Sequence, residues 1–110
     1  MERIIYVGPD LIFKFLRNTE EPTGHFYHAI IKAGSIKLCA VVQFEKLQAK
    51  YKDSLGPVEC SMGISISSVA GPPASIEAMN KALHIITVNS KQAGEVCCQA
   101  FLNEFLDAEF

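Results

Sequence analysis

His25-Phe26-Tyr27-His28-Ala29-Ile30-Ile31-Lys32 and Ser35-Ile36-Lys37-Leu38-Cys39-Ala40-Val41-Val42-Gln43-Phe44 are two runs rich in aromatic and β-branched residues, parted only by Ala33-Gly34. Such runs favour extended backbone, and Gly34 can supply the positive φ of a tight turn. The pair reads as a β-hairpin. With Lys32 set against Ser35, the register places Ile31 opposite Ile36, Ala29 opposite Leu38, Tyr27 opposite Ala40 and His25 opposite Val42. That set is apolar almost throughout and is the expected core face. The other face pairs Ile30 with Lys37, His28 with Cys39 and Phe26 with Val41, and is mixed.

Outward from the hairpin, Val58–Ser67 alternates cleanly. Val58, Cys60, Met62, Ile64 and Ile66 take one side, and Glu59, Ser61, Gly63, Ser65 and Ser67 the other. One buried and one wet face mark an antiparallel sheet. Arg3–Val7 and, after the Gly8-Pro9-Asp10 turn, Leu11–Arg17 read as further strands; for the latter the competing reading is a short helix capped by Asp10. Glu45–Asp53 reads as a short helix with Leu47 and Tyr51 inward and Lys46 and Lys50 outward. Ser75 is a suitable N-cap for a helix over Ile76–Leu83. His84–Val88 could continue that helix, but its Ile-Ile-Thr-Val run argues instead for a last strand. A C-terminal helix then begins at Asn89 or Ser90, where Asn89 and Gln92 resemble a capping box. Its apolar stripe is Cys97, Cys98, Phe101, Leu102 and Phe105, with Glu95, Gln99, Asn103 and Asp107 opposite. Glu104, Asp107 and Glu109 crowd its end, against the helix dipole.

The fold class expected is α+β: an antiparallel sheet of four to six strands packed on one face by C-terminal helices. The chain of 110 residues suits a single domain, 1–110. It should bury roughly two-thirds of its unfolded surface. Hydrophobic residues at 49% and charged residues at 20% exclude a disordered tail, a collagen-like repeat and a disulfide-dense mini-protein.

Bulk charge narrows the partners. The net charge is -2. Residues 1–55 carry an excess of base, residues 56–110 an excess of acid, and the one tight basic group, Lys46, Lys50 and Lys52, is flanked by Glu45 and Asp53. The electrostatic footprint of a nucleic-acid binder is missing. No stretch approaches the roughly 18 apolar residues that span a bilayer, and Met1–Val7 lacks the long apolar region of a signal peptide. The expected compartment is the cytoplasm, where Cys39, Cys60, Cys97 and Cys98 would all be reduced thiols.

Catalytic signals are sparse. His25 and His28, three apart on a strand, point to opposite faces and make a poor metal pair. His28 beside Cys39 could lower the thiol pKa and produce a nucleophile, but nothing marks an oxyanion hole or a residue to orient the histidine. Gly71-Pro72-Pro73-Ala74-Ser75 leads into a helix, yet two prolines remove two N–H donors a phosphate would need. Asp10 reads as a turn residue, Glu20-Glu21 as an exposed pair, Glu59 as a solvated carboxylate without a partner acid, and His84 as a partly buried histidine. No metal or cofactor is implied.

The mixed face carries the functional reading. Phe26, His28, Ile30, Cys39 and Val41 form an apolar patch that marks a protein contact, unless a helix of the same chain covers it. The leading expectation is a non-catalytic interaction module, an adaptor or assembly factor that self-associates through a sheet face or edge. The rival is a small enzyme or ligand-binding protein with an apolar pocket between sheet and helix, using His28, Cys39, Tyr27 and His25.

Overall fold

The computed structural model describes residues 3–19, 25–51 and 54–101. Five strands come first: β1 (Arg3–Gly8), β2 (Leu11–Thr19), β3 (His25–Ala33), β4 (Ile36–Tyr51) and β5 (Ser54–Val69). Two helices follow, α1 (Ile76–Val88) and α2 (Ser90–Ala100). The strands lie in sequence order and every neighbouring pair is antiparallel. This is the α+β arrangement expected, an antiparallel meander with two C-terminal helices on one face.

Alternation decides which face the helices take. Leu11, Phe13 and Phe15 of β2, Tyr27, Ala29, Ile31 and Ala33 of β3, and Ile36, Leu38, Ala40, Val42 and Phe44 of β4 are all buried. They meet Ala82 of α1 and Ala93, Cys97, Cys98 and Phe101 from α2 and its end. Phe101 inserts among three rings, with centroids 5.0 Å from Phe15, 4.8 Å from Tyr27 and 5.2 Å from Phe44. Arg3 holds this end of the helix. Its guanidinium lies 4.4 Å from the Phe101 ring centre and donates to the Ala100 carbonyl at 2.8 Å.

The hairpin differs from its expected register by two residues. Ala33 pairs with Ile36, Ile31 with Leu38, Ala29 with Ala40 and Tyr27 with Val42. The turn is therefore Gly34-Ser35, with Gly34 as its first central residue at φ 63°. That choice pairs Ala33 with Ile36 on the core face and lets the Gly34 N–H donate to the Asp10 carbonyl at 2.9 Å. A two-residue slip preserves which face each side chain takes.

Three expected elements are replaced. The short helix over Glu45–Asp53 does not form: β4 runs on to Tyr51 because β5 offers it a continuous ladder, down to Tyr51 opposite Ser54. The inward and outward side chains expected at Lys46–Tyr51 lie outside the described residues. The strand over His84–Val88 is instead the second half of α1. Ala78, Met79, Ala82, Ile85 and Ile86 form one apolar helical stripe against the core, and this burial outweighs the β-propensity of the run. The capping box is absent. Asn89 ends α1, its side-chain amide donating to the Ile85 carbonyl at 2.8 Å, while Gln92 donates to Val7 of β1. Ser75 does cap α1, accepting from the Ala78 N–H at 3.1 Å. Leu102, Asn103, Glu104, Phe105, Asp107 and Glu109 lie outside the described residues.

The expectation of four reduced thiols is also corrected. Cys60 of β5 and Cys98 of α2 are joined in a disulfide, with Cα atoms 6.0 Å apart across a sequence separation of 38. Cys39 and Cys97 are free. The even-numbered, core-facing positions of β5 bring Cys60 to the helix face that carries Cys98, a proximity that spacing along the chain conceals.

Candidate functional site: the open sheet face

The same alternation that buries one face turns a defined set of side chains away from the helices. On β3 these are Phe26, His28, Ile30 and Lys32; on β4 they are Lys37, Cys39, Val41, Gln43 and Glu45. Phe26, His28, Ile30, Cys39 and Val41, the five residues expected at a contact, are all half-buried here by their neighbours on the face. Both helices lie on the opposite side, so neither covers the patch.

The face is dished. Leu16, His28, Ile30, Cys39, Val41 and Ser67 line an open concavity of about 640 Å³, floored by the backbone of Ala29 and Ala40. Two β-bulges explain its place. The β2–β3 register shifts between Phe15 and Arg17, leaving Leu16 as an extra residue. The β4–β5 register shifts between Cys39 and Ala40, leaving Ser67 extra. Phe15, Ala29, Ala40 and Ile66 lie in one row across the sheet, and both bulges flank it. Bulges bend a strand and raise its twist, so two at one level fold the sheet along that row. The Ser67 hydroxyl donates to the Cys39 carbonyl at 3.1 Å.

His28 and Cys39 share this concavity but are not opposite each other. His28 faces Val41, and Cys39 faces Ile30. The expected direct pair is a diagonal one, in which side chains stand farther apart. Tyr27 does not join them: it is buried on the helix side, between the rings of Phe15, Phe44 and Phe101. These rings fill the space between the sheet and α2, while a cavity of about 490 Å³, lined by Ile36, Val69, Pro73, Ala74 and Ala78, opens between the sheet edge and the start of α1 and shares no lining residue with the His28–Cys39 concavity. The His25 side chain lies outside the described residues. Among the described residues, no three His, Cys, Asp or Glu side chains gather as metal ligands, and no helix is long and apolar enough to cross a membrane.

Charge on the face is sorted by position. Lys32 and Lys37, both exposed, stand opposite each other beside the β3–β4 turn, with Lys14 one row along. Glu45 and Glu59, both exposed, sit at the other end, Glu45 opposite Ser61 and Glu59 two positions further on β5. Between them lie Phe26, Ile30 and Val41 with His28, Cys39 and Gln43 among them, and on β1 the same side carries Ile4 and Tyr6, 51% and 70% exposed. Sequence reading missed this polarity and the two bulge residues. Strand parity alone, applied to Lys32, Lys37 and Glu45, would have revealed the charge pattern. The bulges leave no comparable signal.

Comparison with family models, with curated proteins and with solved structures found no match for this chain.

Proposed function

We propose that the protein is a non-catalytic interaction module that self-associates through its open sheet face, as a two-fold dimer serving an adaptor or assembly role. The observation that carries this reading is the sorted charge. Val41 stands on β4 midway between Lys37 and Glu45, each about 14 Å away along the strand. A two-fold axis parallel to the sheet and lying between the two copies, across the strands at Val41, lays the basic end of one copy on the acidic end of the other. An isologous contact must be self-complementary, and this face is. Val41 would meet its counterpart on the axis and Ile30 would meet Phe26 of the second copy, with Leu16 beside them, in the aligned packing usual for two sheets.

The partner in this reading is a second copy, not nucleic acid, because the lysines share the face with the carboxylates of Glu45 and Glu59. The working compartment in this reading is the cytoplasm.

The test is the solution mass by light scattering for the wild type and for a Phe26→Asp/Val41→Asp variant. The expected outcome is a dimeric wild type and a folded, monomeric variant. A monomeric wild type, or a variant of unchanged mass, overturns the reading.

A second reading rests on His28 and Cys39 sharing one concavity, which would suit a thiol nucleophile in a small enzyme or ligand-binding protein. It requires Cys39 alkylation to be faster in the wild type than in His28→Ala. Equal alkylation rates in both proteins remove it.

A further inference from the structure

The β3–β4 ladder ends where His25 meets Phe44. The β4–β5 ladder continues, from Glu45 opposite Ser61 to Tyr51 opposite Ser54. Residues 45–51 and 54–61 thus form a two-stranded ribbon with no third strand beside it among the described residues. Such a ribbon is marginal in water when nothing supports it. Cys60 stands at its base, opposite Lys46, and is bonded to Cys98 in the last turn of α2. The bond is therefore a covalent link between ribbon and helix.

The other two cysteines are placed where they do not compete. Cys39 is on the open face, across the sheet from α2. Cys97 is fully buried in the core. Cys60, by contrast, is half-buried and the more accessible member of the bonded pair. The end of α2 has a second attachment, through Arg3 to the Ala100 carbonyl and the Phe101 ring. Opening the Cys60–Cys98 bond would leave the helix docked and release the ribbon alone.

We infer that Cys60 and Cys98 form a reversible thiol–disulfide exchange site for small disulfides and thiols of the glutathione type, and that oxidation latches the ribbon onto α2. In the forward direction the Cys60 thiolate attacks one sulfur of the small disulfide and expels one small thiolate. The Cys98 thiolate then attacks the Cys60 sulfur of the mixed disulfide and expels the second. The two departing thiolates take up the two protons lost by the protein. Two protein thiols and one small disulfide become one protein disulfide and two small thiols; reduction is the reverse. This does not rest on self-association, since the thiol count reads the same in monomer and dimer.

The experiment equilibrates the full chain in glutathione buffers from reducing to oxidising. Samples are quenched in acid, alkylated under denaturing conditions, weighed and mapped, with amide exchange followed in parallel. Two thiols should disappear together and map to Cys60 and Cys98, while Cys39 and Cys97 remain alkylatable. Peptides across 45–51 and 59–61 should exchange about tenfold more slowly in the oxidised form. Cys60→Ser and Cys98→Ser should each show the faster exchange in both buffers. Four alkylatable thiols in the most oxidising buffer, an adduct that stops at Cys60, a bond to Cys39 or Cys97, or equal ribbon exchange in the two wild-type forms would each overturn the inference.

Discussion

Lys32 and Lys37 stand directly opposite each other across β3 and β4, two exposed like charges beside the two-residue turn that joins these strands. Such a pair works against the hairpin it sits in. The self-association proposed here would relieve it by bringing the Glu45 end of a second copy over the lysines. Monomer and dimer therefore respond oppositely to one substitution. Lys37→Glu should turn the repulsion into an attraction of roughly 0.2–1 kcal/mol within the monomer. In the dimer it sets acid against acid, and the dissociation constant should rise about tenfold or more. Adding Glu45→Lys should restore dimerisation. Thermal melts and analytical ultracentrifugation of the two variants check both halves.

Phe101 is wholly buried among Phe15, Tyr27 and Phe44, and it is the point where α2 enters the core. Phe101→Ala should cost about 3–5 kcal/mol, the usual penalty for an aromatic cavity. It also removes the ring beneath Arg3. Urea unfolding followed by far-ultraviolet dichroism should show the midpoint fall with a similar slope. A loss below about 1 kcal/mol would mean that α2 is not docked as described.

Burial pushes the Cys97 thiol up to about 12 from an ordinary 9.0. The folded state then holds a proton that the unfolded chain gives up above pH 9. Stability from this group is fully present below pH 9 and is lost as pH rises toward 12, at up to about 1.4 kcal/mol per pH unit. Cys97→Ala should flatten this alkaline limb at the expense of a small cavity. Denaturant midpoints measured from pH 8 to pH 11 for both proteins provide the check, and parallel curves would contradict it.

Gly34 adopts φ +63°, and a Cβ built on it would meet the Ile85 side chain at 3.2 Å. Gly34→Ala should therefore cost about 1–2 kcal/mol for the left-handed backbone, with further loss where α1 must shift. Gly34→Asn tests the two causes apart, because asparagine tolerates this conformation but not the crowding. Chemical denaturation of the pair gives the split.

Parity is legible in residues 25–44; pairing is not. Every strand residue from Phe26 to Phe44 takes the face its alternation implies, because burying one side of a sheet constrains each step of two. The register was set instead by the turn and by the Gly34 N–H reaching Asp10, a contact between segments far apart in sequence. The same distinction explains the site. Phe26, Ile30 and Val41 could be assigned to one face from spacing. The concavity depends on Leu16 and Ser67, whose bulges arise from mismatched ladders rather than from any residue preference. The helix expected over Glu45–Asp53 and the strand expected over His84–Val88 differ from the structure for a common reason: each has local propensity for the wrong state, and over the described residues a distant partner, β5 or the core, decides against it.

The order of elements has a consequence for synthesis. Among the described residues, all five strands precede both helices. While the chain is being made, a complete sheet can exist with Phe13, Phe15, Tyr27 and Phe44 uncovered on one side and Ile30 and Val41 on the other. At ribosomal rates that interval lasts on the order of a second or more. Throughout it the nascent protein is sticky on both surfaces, and β1 and β5 offer unpaired edges. A chaperone that shields emerging apolar segments would matter most during this interval. A message truncated between α1 and α2 would yield a product that clumps rather than a weaker version of the mature molecule.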